Sequence, residues 1–211
     1  MTFADPIAGD LEQSRTRILE VAERYFRRIG YHKTSVADIA AELGMSRANI
    51  YRFFPSRTAI NSSVCGLVVK EVAEIALAIA RSDAPASKRL ADLLVAIHRH
   101  STRRLAEDRP MHELLVAAMD GSWSTISAHN EQILAILKAL VREGLQTGEF
   151  NVEDVDEAAR GIITAFLPFF HPLLVEQRVQ EGDAAAVSLH AQIRFIMKAL
   201  GTADLETSLK A

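Results

Sequence analysis

Apolar positions recur at three- and four-residue spacing along nearly the whole chain. Ile18, Ala22, Tyr25, Phe26 and Ile29 form one stripe, and Gly30 follows as a stop. Val36, Ile39, Ala40 and Leu43 form a second, shorter stripe. Ser35 precedes it with Asp38 three residues on, the spacing of a capping box with Asp in place of the usual Glu. Gly44 closes this helix, Ser46 is placed to cap a third through Phe53, and Pro55-Ser56 opens a fourth from Ser56 to Ala80. Asp83-Ala84-Pro85 breaks it.

The same periodicity predicts helices near 86–105, 110–119, 123–146, 152–178 and 184–200, with Asn151 capping the fourth of these. Glu153, Asp154, Asp156 and Glu157 favour that helix's positive end. Pro168 and Pro172 fall inside its most apolar stretch, so a kink is expected there, with a cavity beside it. No alternating run suggests a strand, and no repeat or low-complexity tract stands out. The expectation is an all-α chain with a tail at 1–11, a small module at 12–57, a larger domain at 58–201 and a frayed tail at 202–211.

Composition narrows the class. In 211 residues, 49% are hydrophobic and 24% charged, which supports a folded core and argues against disorder. The unbroken apolar stretches are too short to span a bilayer, and the first eleven residues do not read as a signal peptide. The one cysteine, Cys65, permits no internal disulfide and suits a reducing cytoplasm, the expected location. The net charge of -3 hides an uneven distribution. From Arg15 to Arg57 nine basic residues stand against four acidic ones; beyond Arg57 there are 15 basic and 20 acidic. A basic module joined to an acidic one points to nucleic acid at the front.

Two short helices separated by Gly44-Met45, inside that basic segment, have the layout of a helix-turn-helix. The second helix of such a unit enters the major groove. Gly44 can take the left-handed conformation required between the helices, and Val36, Ile39, Ala40, Leu43, Ile50 and Phe54 supply the apolar interior. Ser46 opens the second helix, whose first turn lies nearest the bases. Arg47 suits guanine, Asn49 suits adenine or a phosphate, and Ala48 permits close approach or a thymine methyl contact. Thr34, Ser35, Tyr51, Arg52 and Arg57 are candidate phosphate contacts.

Phe26-Arg-Arg-Ile-Gly30-Tyr31-His-Lys-Thr34-Ser35-Val36-Ala-Asp-Ile39-Ala40, followed by Gly44-Met45-Ser46 and by Ile50-Tyr51-Arg52-Phe53-Phe54-Pro55-Ser56-Arg57, resembles the signature of the TetR (tetracycline-repressor) family. Glu143-Gly144-Leu145-Gln-Thr-Gly148-Glu149-Phe150 resembles the turn these regulators carry before their last two helices. Three positions depart from the pattern: Ala48 where Gly is frequent, Phe53 where Tyr or His is, and Arg57 where Lys is usual. Phe53 lacks a polar tip, which puts one phosphate contact in doubt; Arg57 keeps its charge.

The resemblance implies a homodimer formed through the last two helices, a double-stranded operator, and a small-molecule effector bound within the acidic domain. Effector binding would shift the fourth helix and change the separation of the two reading heads. It also implies a pocket at mid-helix positions: Leu94, Ile97, His98, Ser101, Leu115, Met119, Trp123, Ile126, Phe166 and Phe169. Each is otherwise an ordinary core residue. The mixture suits a hydrophobic effector with one or two polar groups. Repression is the expected mode, with an activating or ligand-independent regulator as the alternative.

Other chemistry is poorly represented. His112-Glu113-Leu114-Leu115-Val116 begins like a zinc-protease motif, but Val116 stands where the second ligand belongs. His98 and His100, two apart on a helix, face different ways. No phosphate-cradling loop or nucleophile elbow is present, so neither an enzyme nor a cofactor is expected. Cys65 reads as a buried structural thiol. A helical protein-binding adaptor is the remaining rival, and the exposed pattern Arg47, Ala48, Asn49, Tyr51, Arg52 suits a groove better than a protein.

Overall fold

The computed structural model describes residues 6–121, 123–180 and 184–201, with side chains described for 11–121, 123–180 and 188–201. It contains ten α-helices and no strand among the described residues: α1 (Pro6–Ile29), α2 (Val36–Glu42), α3 (Arg47–Phe53), α4 (Arg57–Ala80), α5 (Ala86–Glu107), α6 (Arg109–Asp120), α7 (Ser124–Thr147), α8 (Val155–Phe166), α9 (Pro172–Gln180) and α10 (Ala184–Ala199). α1 starts at Pro6, inside the expected tail; residues 1–5 and the expected tail at 202–211 lie outside the described residues. No single described helix is long and apolar enough to cross a membrane.

The chain divides into two compact units. The first holds residues to Val68 and returns for Asp108–Thr125, so α6 joins the N-terminal helices, a larger unit than the 12–57 module expected. Its core is built from Ile18, Ala22 and Phe26 of α1, Ile39 of α2, Ile50 of α3 and Ile60 and Val64 of α4, closed by Met111 and Leu114 of α6, all at 2% exposure or less. Cys65 is fully buried there. Arg27 of α1 ion-pairs with Asp108 ahead of α6 and with Glu23 one turn back. The Ser62 and Thr125 hydroxyls meet at 2.7 Å.

The second unit comprises Val69–Glu107 and Ile126–Ala211. Its core packs Leu90, Leu93 and Leu94 of α5 against Leu137, Leu140 and Val141 of α7, Ile162 and Phe166 of α8, and Ile193, Ile196 and Met197 of α10. The turn after α7 secures this arrangement. Phe150 lies against Gly144, where a Cβ atom would sit inside the ring's van der Waals surface. The Glu149 carboxylate accepts from the Ala86 and Ser87 amides at 3.0 and 2.9 Å and from the Ser87 hydroxyl at 2.6 Å. Those are the otherwise unsatisfied donors of α5's first turn. Burial opposes ionisation of Glu149, but the bonds from Ser87, Ala86 and Thr147 outweigh it and hold its pKa below the ordinary value.

Two sequence expectations are corrected here. Asn151 does not cap the following helix; its amide donates to the Leu200 carbonyl, and Asp154 is the cap, accepting from Asp156 and Glu157 at 2.7 and 3.1 Å. The helix expected over 152–178 is two helices, α8 and α9, bent by 46° across a 3-10 turn at Leu167–Phe169. Pro168 and Pro172 each lack the donor that would continue the ladder. Pro172 instead begins α9, where no donor is needed.

Candidate nucleic-acid interface

The reading helix is positioned by local signals that agree with one another. Ser35 caps α2 through the Asp38 amide, and the Asp38 carboxylate returns to the Ser35 amide at 2.8 Å, completing the capping box. Hydrogen bonds from Ser35 hold the Asp38 carboxyl below its ordinary pKa. Gly44 then takes φ +64°, a conformation that costs a side-chain-bearing residue roughly 1 kcal/mol, and the chain reverses into α3. Ser46 caps α3, its Oγ accepting from the Asn49 amide at 3.1 Å.

α3 is held by its neighbours at the opposite end. Arg15 of α1 donates to the Phe53 carbonyl at 2.7 Å, and its guanidinium lies 4.5 Å from the Phe54 ring centroid. Glu42 at the end of α2 accepts from Arg24 at 2.7 Å and from Tyr25 at 3.2 Å, both of α1. Ile50 is fully buried between these elements. The opposite face of α3 carries Arg47, Ala48, Tyr51 and Arg52, all exposed, with Asn49 half-buried at its edge. Neither Arg47 nor Arg52 has a hydrogen-bond or ion-pair partner among the described residues, so both are available to an external anion.

Of the expected phosphate contacts, Thr34 is buried, while Ser35 and Arg57 are exposed but bonded within the protein. Thr34 is 1% exposed and its hydroxyl donates to the Gly30 carbonyl at 3.0 Å. The Ser35 hydroxyl spends its one hydrogen on Asp38 at 2.6 Å. Arg57 donates to the Tyr31 and His32 carbonyls at 2.6 and 2.8 Å, which makes it a brace for the loop between α1 and α2. Tyr31 itself is buried. That burial foremost, together with Glu113, raises its phenol pKa against the opposing charge of Arg57.

Part of the basic charge at the front of the chain is engaged within the protein. Of the nine basic residues, Arg15, Arg24, Arg27 and Arg57 are bound within the protein, and Arg28 stacks on the Tyr25 ring at 4.5 Å. Arg17, Lys33, Arg47 and Arg52 are exposed and have no such partner among the described residues. Arg15 as a clasp for α3 was not read from the sequence, because a charge count does not see partners.

The ten expected pocket residues are divided between the two units. Leu115, Met119 and Trp123 belong to the first unit, where α6 packs on α1; the other seven belong to the second. Leu94, Ile97 and Ile126 are buried core residues, and the Ser101 hydroxyl is satisfied by the Ile97 carbonyl at 3.0 Å. His98, Phe166 and Phe169 do meet. The Phe166 and Phe169 rings stack at 5.1 Å, the His98 ring meets Phe169 edge-on at 5.7 Å, and its Nδ1 lies 2.9 Å from the Phe169 carbonyl. One polar neighbour was missed, Arg178, whose guanidinium lies over the Phe169 ring; it falls beyond the expected kink.

A capped pair of short helices with an unpartnered cationic face defines a helix-turn-helix DNA-binding module followed by a helical domain. Residues 18–63 match the model for bacterial regulatory proteins of the tetR family, and residues 86–188 match the tetracyclin repressor-like C-terminal domain. The chain belongs to the TetR family: it is a DNA-binding transcription regulator, and members of this family are not enzymes. A TetR/AcrR-family regulator from Thermobifida fusca YX-ER1 is 24% identical over 88% of this chain and 97% of its own, with a TM-score of 0.65. A TetR-family regulator from Pectobacterium atrosepticum superposes with a TM-score of 0.67 at 17% identity, over 91% of this chain and 94% of its own. RolR in complex with resorcinol is 20% identical, over 92% of this chain and 91% of its own, with a TM-score of 0.59. No curated protein matches the sequence significantly.

Proposed function

We propose that the protein is a homodimeric repressor, released from a partly palindromic operator by a small, mainly hydrophobic ligand. The observation that carries the reading is the outward face of α3: Arg47, Ala48, Tyr51 and Arg52 exposed above a buried Ile50. Arg47 and Asn49 would contact base edges, while Ser46, Tyr51 and Arg52 set the register on phosphates. Ser46 keeps its hydroxyl hydrogen for a phosphate, since Oγ serves the cap only as an acceptor.

Dimerisation is supported by apolar surface late in the second unit. Phe195 of α10 is 63% exposed, and Leu167, at the end of α8, is also exposed; α8 and α10 pack together. A second copy would cover that face and double the reading head, as a two-half-site operator requires. An effector site in the second unit is supported by His98 set among Phe166 and Phe169, and by RolR, a protein of the same fold that holds resorcinol. α4 is one unbroken helix from Arg57 to Ala80 that contributes to both units, a covalent route for a ligand's differential affinity to reach the DNA-binding unit. A DNA-binding role supports the cytoplasm as its location.

The test is fluorescence anisotropy of a selected operator duplex with the full-length protein. The reading expects binding by a dimer and release on addition of a cognate effector. An operator bound by monomers, or retained at saturating effector, would contradict it.

A further inference from the structure

In the second unit Arg89 and Arg104 are buried and Arg178 is half-buried. Arg89 is paired with Glu143, and Arg104 with Glu71. Arg178, on α9, has no acidic partner among the described residues. Its Nη2 donates to the Ser188 hydroxyl of α10, its guanidinium carbon lies 4.4 Å from the Phe169 ring centroid, and its Nε is buried with no hydrogen-bond partner.

His171 lies immediately ahead of α9, and its Nδ1 is likewise buried and unpartnered. Burial alone holds its pKa below the ordinary histidine value, which favours the neutral imidazole. At His98 burial lowers the pKa first of all; the Phe169 hydrogen bond opposes this, and the Arg178 charge adds to it. The positive charge of Arg178 is thus felt at its neighbours rather than neutralised by them.

A cation in partly desolvated surroundings, with a donor unused, is stabilised by an anion that accepts from it. The planar guanidinium fork matches a carboxylate. The wall beside it is aromatic: Phe166 stacks on Phe169 at 5.1 Å and on Phe170 at 6.5 Å, an arrangement that favours a further flat ring.

We propose that the ligand of the second unit is a small aromatic carboxylate, its acid group held by Arg178 and His171 and its ring set against Phe166, Phe169 and Phe170. The proposal rests on the reading that this unit takes an effector, and names its chemical class.

The test is titration calorimetry of the full-length protein with benzoate, phenylacetate and cinnamate, each against its neutral amide. At least one acid should bind with a Kd below about 1 mM. Its amide should bind more weakly by roughly tenfold or more, the worth of a hydrogen bond to a charged group. Arg178→Gln should lose a similar factor, Arg178→Lys should fall between, and Arg99→Gln, on the exposed side of α5, should titrate as the parent. If Arg178→Gln fails to fold by circular dichroism, Arg178→Lys and His171→Gln carry the comparison.

Acids and amides binding equally, no acid saturating the protein, or variants at 178 titrating as the parent would overturn the proposal. A neutral compound that releases DNA equally well from the parent and Arg178→Gln would also overturn it, while leaving the effector reading intact. Acid binding that depends on Arg178 but leaves DNA bound would support the site and contradict the repressor switch.

Discussion

Arg57 Nη2 lies 2.6 Å from the carbonyl oxygen of Tyr31, closing the DNA-binding unit across 26 residues of chain. The same nitrogen reaches the His32 carbonyl, so one guanidinium from the first turn of α4 fixes the loop that leads into α2. Arg57→Ala should therefore destabilise the fold by about 1–3 kcal/mol, the range for hydrogen bonds to a charged donor. It should weaken binding to every duplex alike. Urea melts and a panel of operator variants check this. A change of base preference at Arg57 would contradict it.

The four unpartnered cations near the front of the chain bound the electrostatics. If Arg47 spends its charge on a base, Arg17, Lys33 and Arg52 remain for phosphates, and a dimer neutralises about six charges, for a slope of roughly -5 in log K against log salt. Anisotropy titrations at several salt concentrations measure that slope. Lys33→Ala should make it shallower by about two, one for each subunit. Arg24→Ala should leave it unchanged, because Arg24 is engaged by Glu42.

That distinction marks where the sequence was legible. Ser35, Gly44 and Ser46 announced the helix-turn-helix because caps and left-handed turns are decided within a few residues. The break at Pro168 and Pro172 was legible as a kink, but whether two prolines bend a helix or divide it depends on what the freed carbonyls meet. Arg15, Arg27 and Arg57 look like DNA-facing cations in the sequence, and only folding brings Phe53, Asp108 and Tyr31 within their reach. Mid-helix position says nothing of which unit a helix joins: α6 packs on α1 and takes Leu115 and Met119 with it.

Gly144 should tolerate no side chain. Gly144→Ala would drive a methyl group into the Phe150 ring and cost about 1–3 kcal/mol through overpacking of the turn that caps α5. Thermal unfolding of the variant checks it. Gly161, open on the surface of α8, should accept alanine without loss.

Two histidines of the second unit make stability depend on pH. His100 and His129 are each held at about 4, by burial first and by the Arg104 charge second. Glu71 lies 3.7 Å from His100 but does not reverse this, because Arg104 engages its carboxylate. Unfolded imidazoles titrate near 6.5. Above that pH neither state is protonated and the full stability is present. As pH falls from 6.5 towards 4 the unfolded chain takes up protons that the folded chain refuses, so stability drops by up to about 1.4 kcal/mol per pH unit for each histidine. The urea midpoint should be lower at pH 5 than at pH 7, and His129→Gln should flatten the dependence. A midpoint that rises on acidification would contradict the assignment.

Phe195→Asp should convert a dimer into a folded monomer. The ring is mostly exposed in the single chain, so its loss costs the monomer little, whereas a charge would repel a second copy. Sedimentation equilibrium with a parallel melt separates loss of pairing from loss of fold.

The outward face of α3 is tested most directly by selecting bound duplexes from a random pool with the parent and with Arg47→Ala. The parent should enrich two half-sites with centres about 34–36 Å apart. Arg47→Ala should lose preference at one position in each half-site, at a cost of about 1–3 kcal/mol. An identical enriched sequence with and without Arg47, or no enrichment by the parent, would contradict the assignment of α3 as the element that reads DNA.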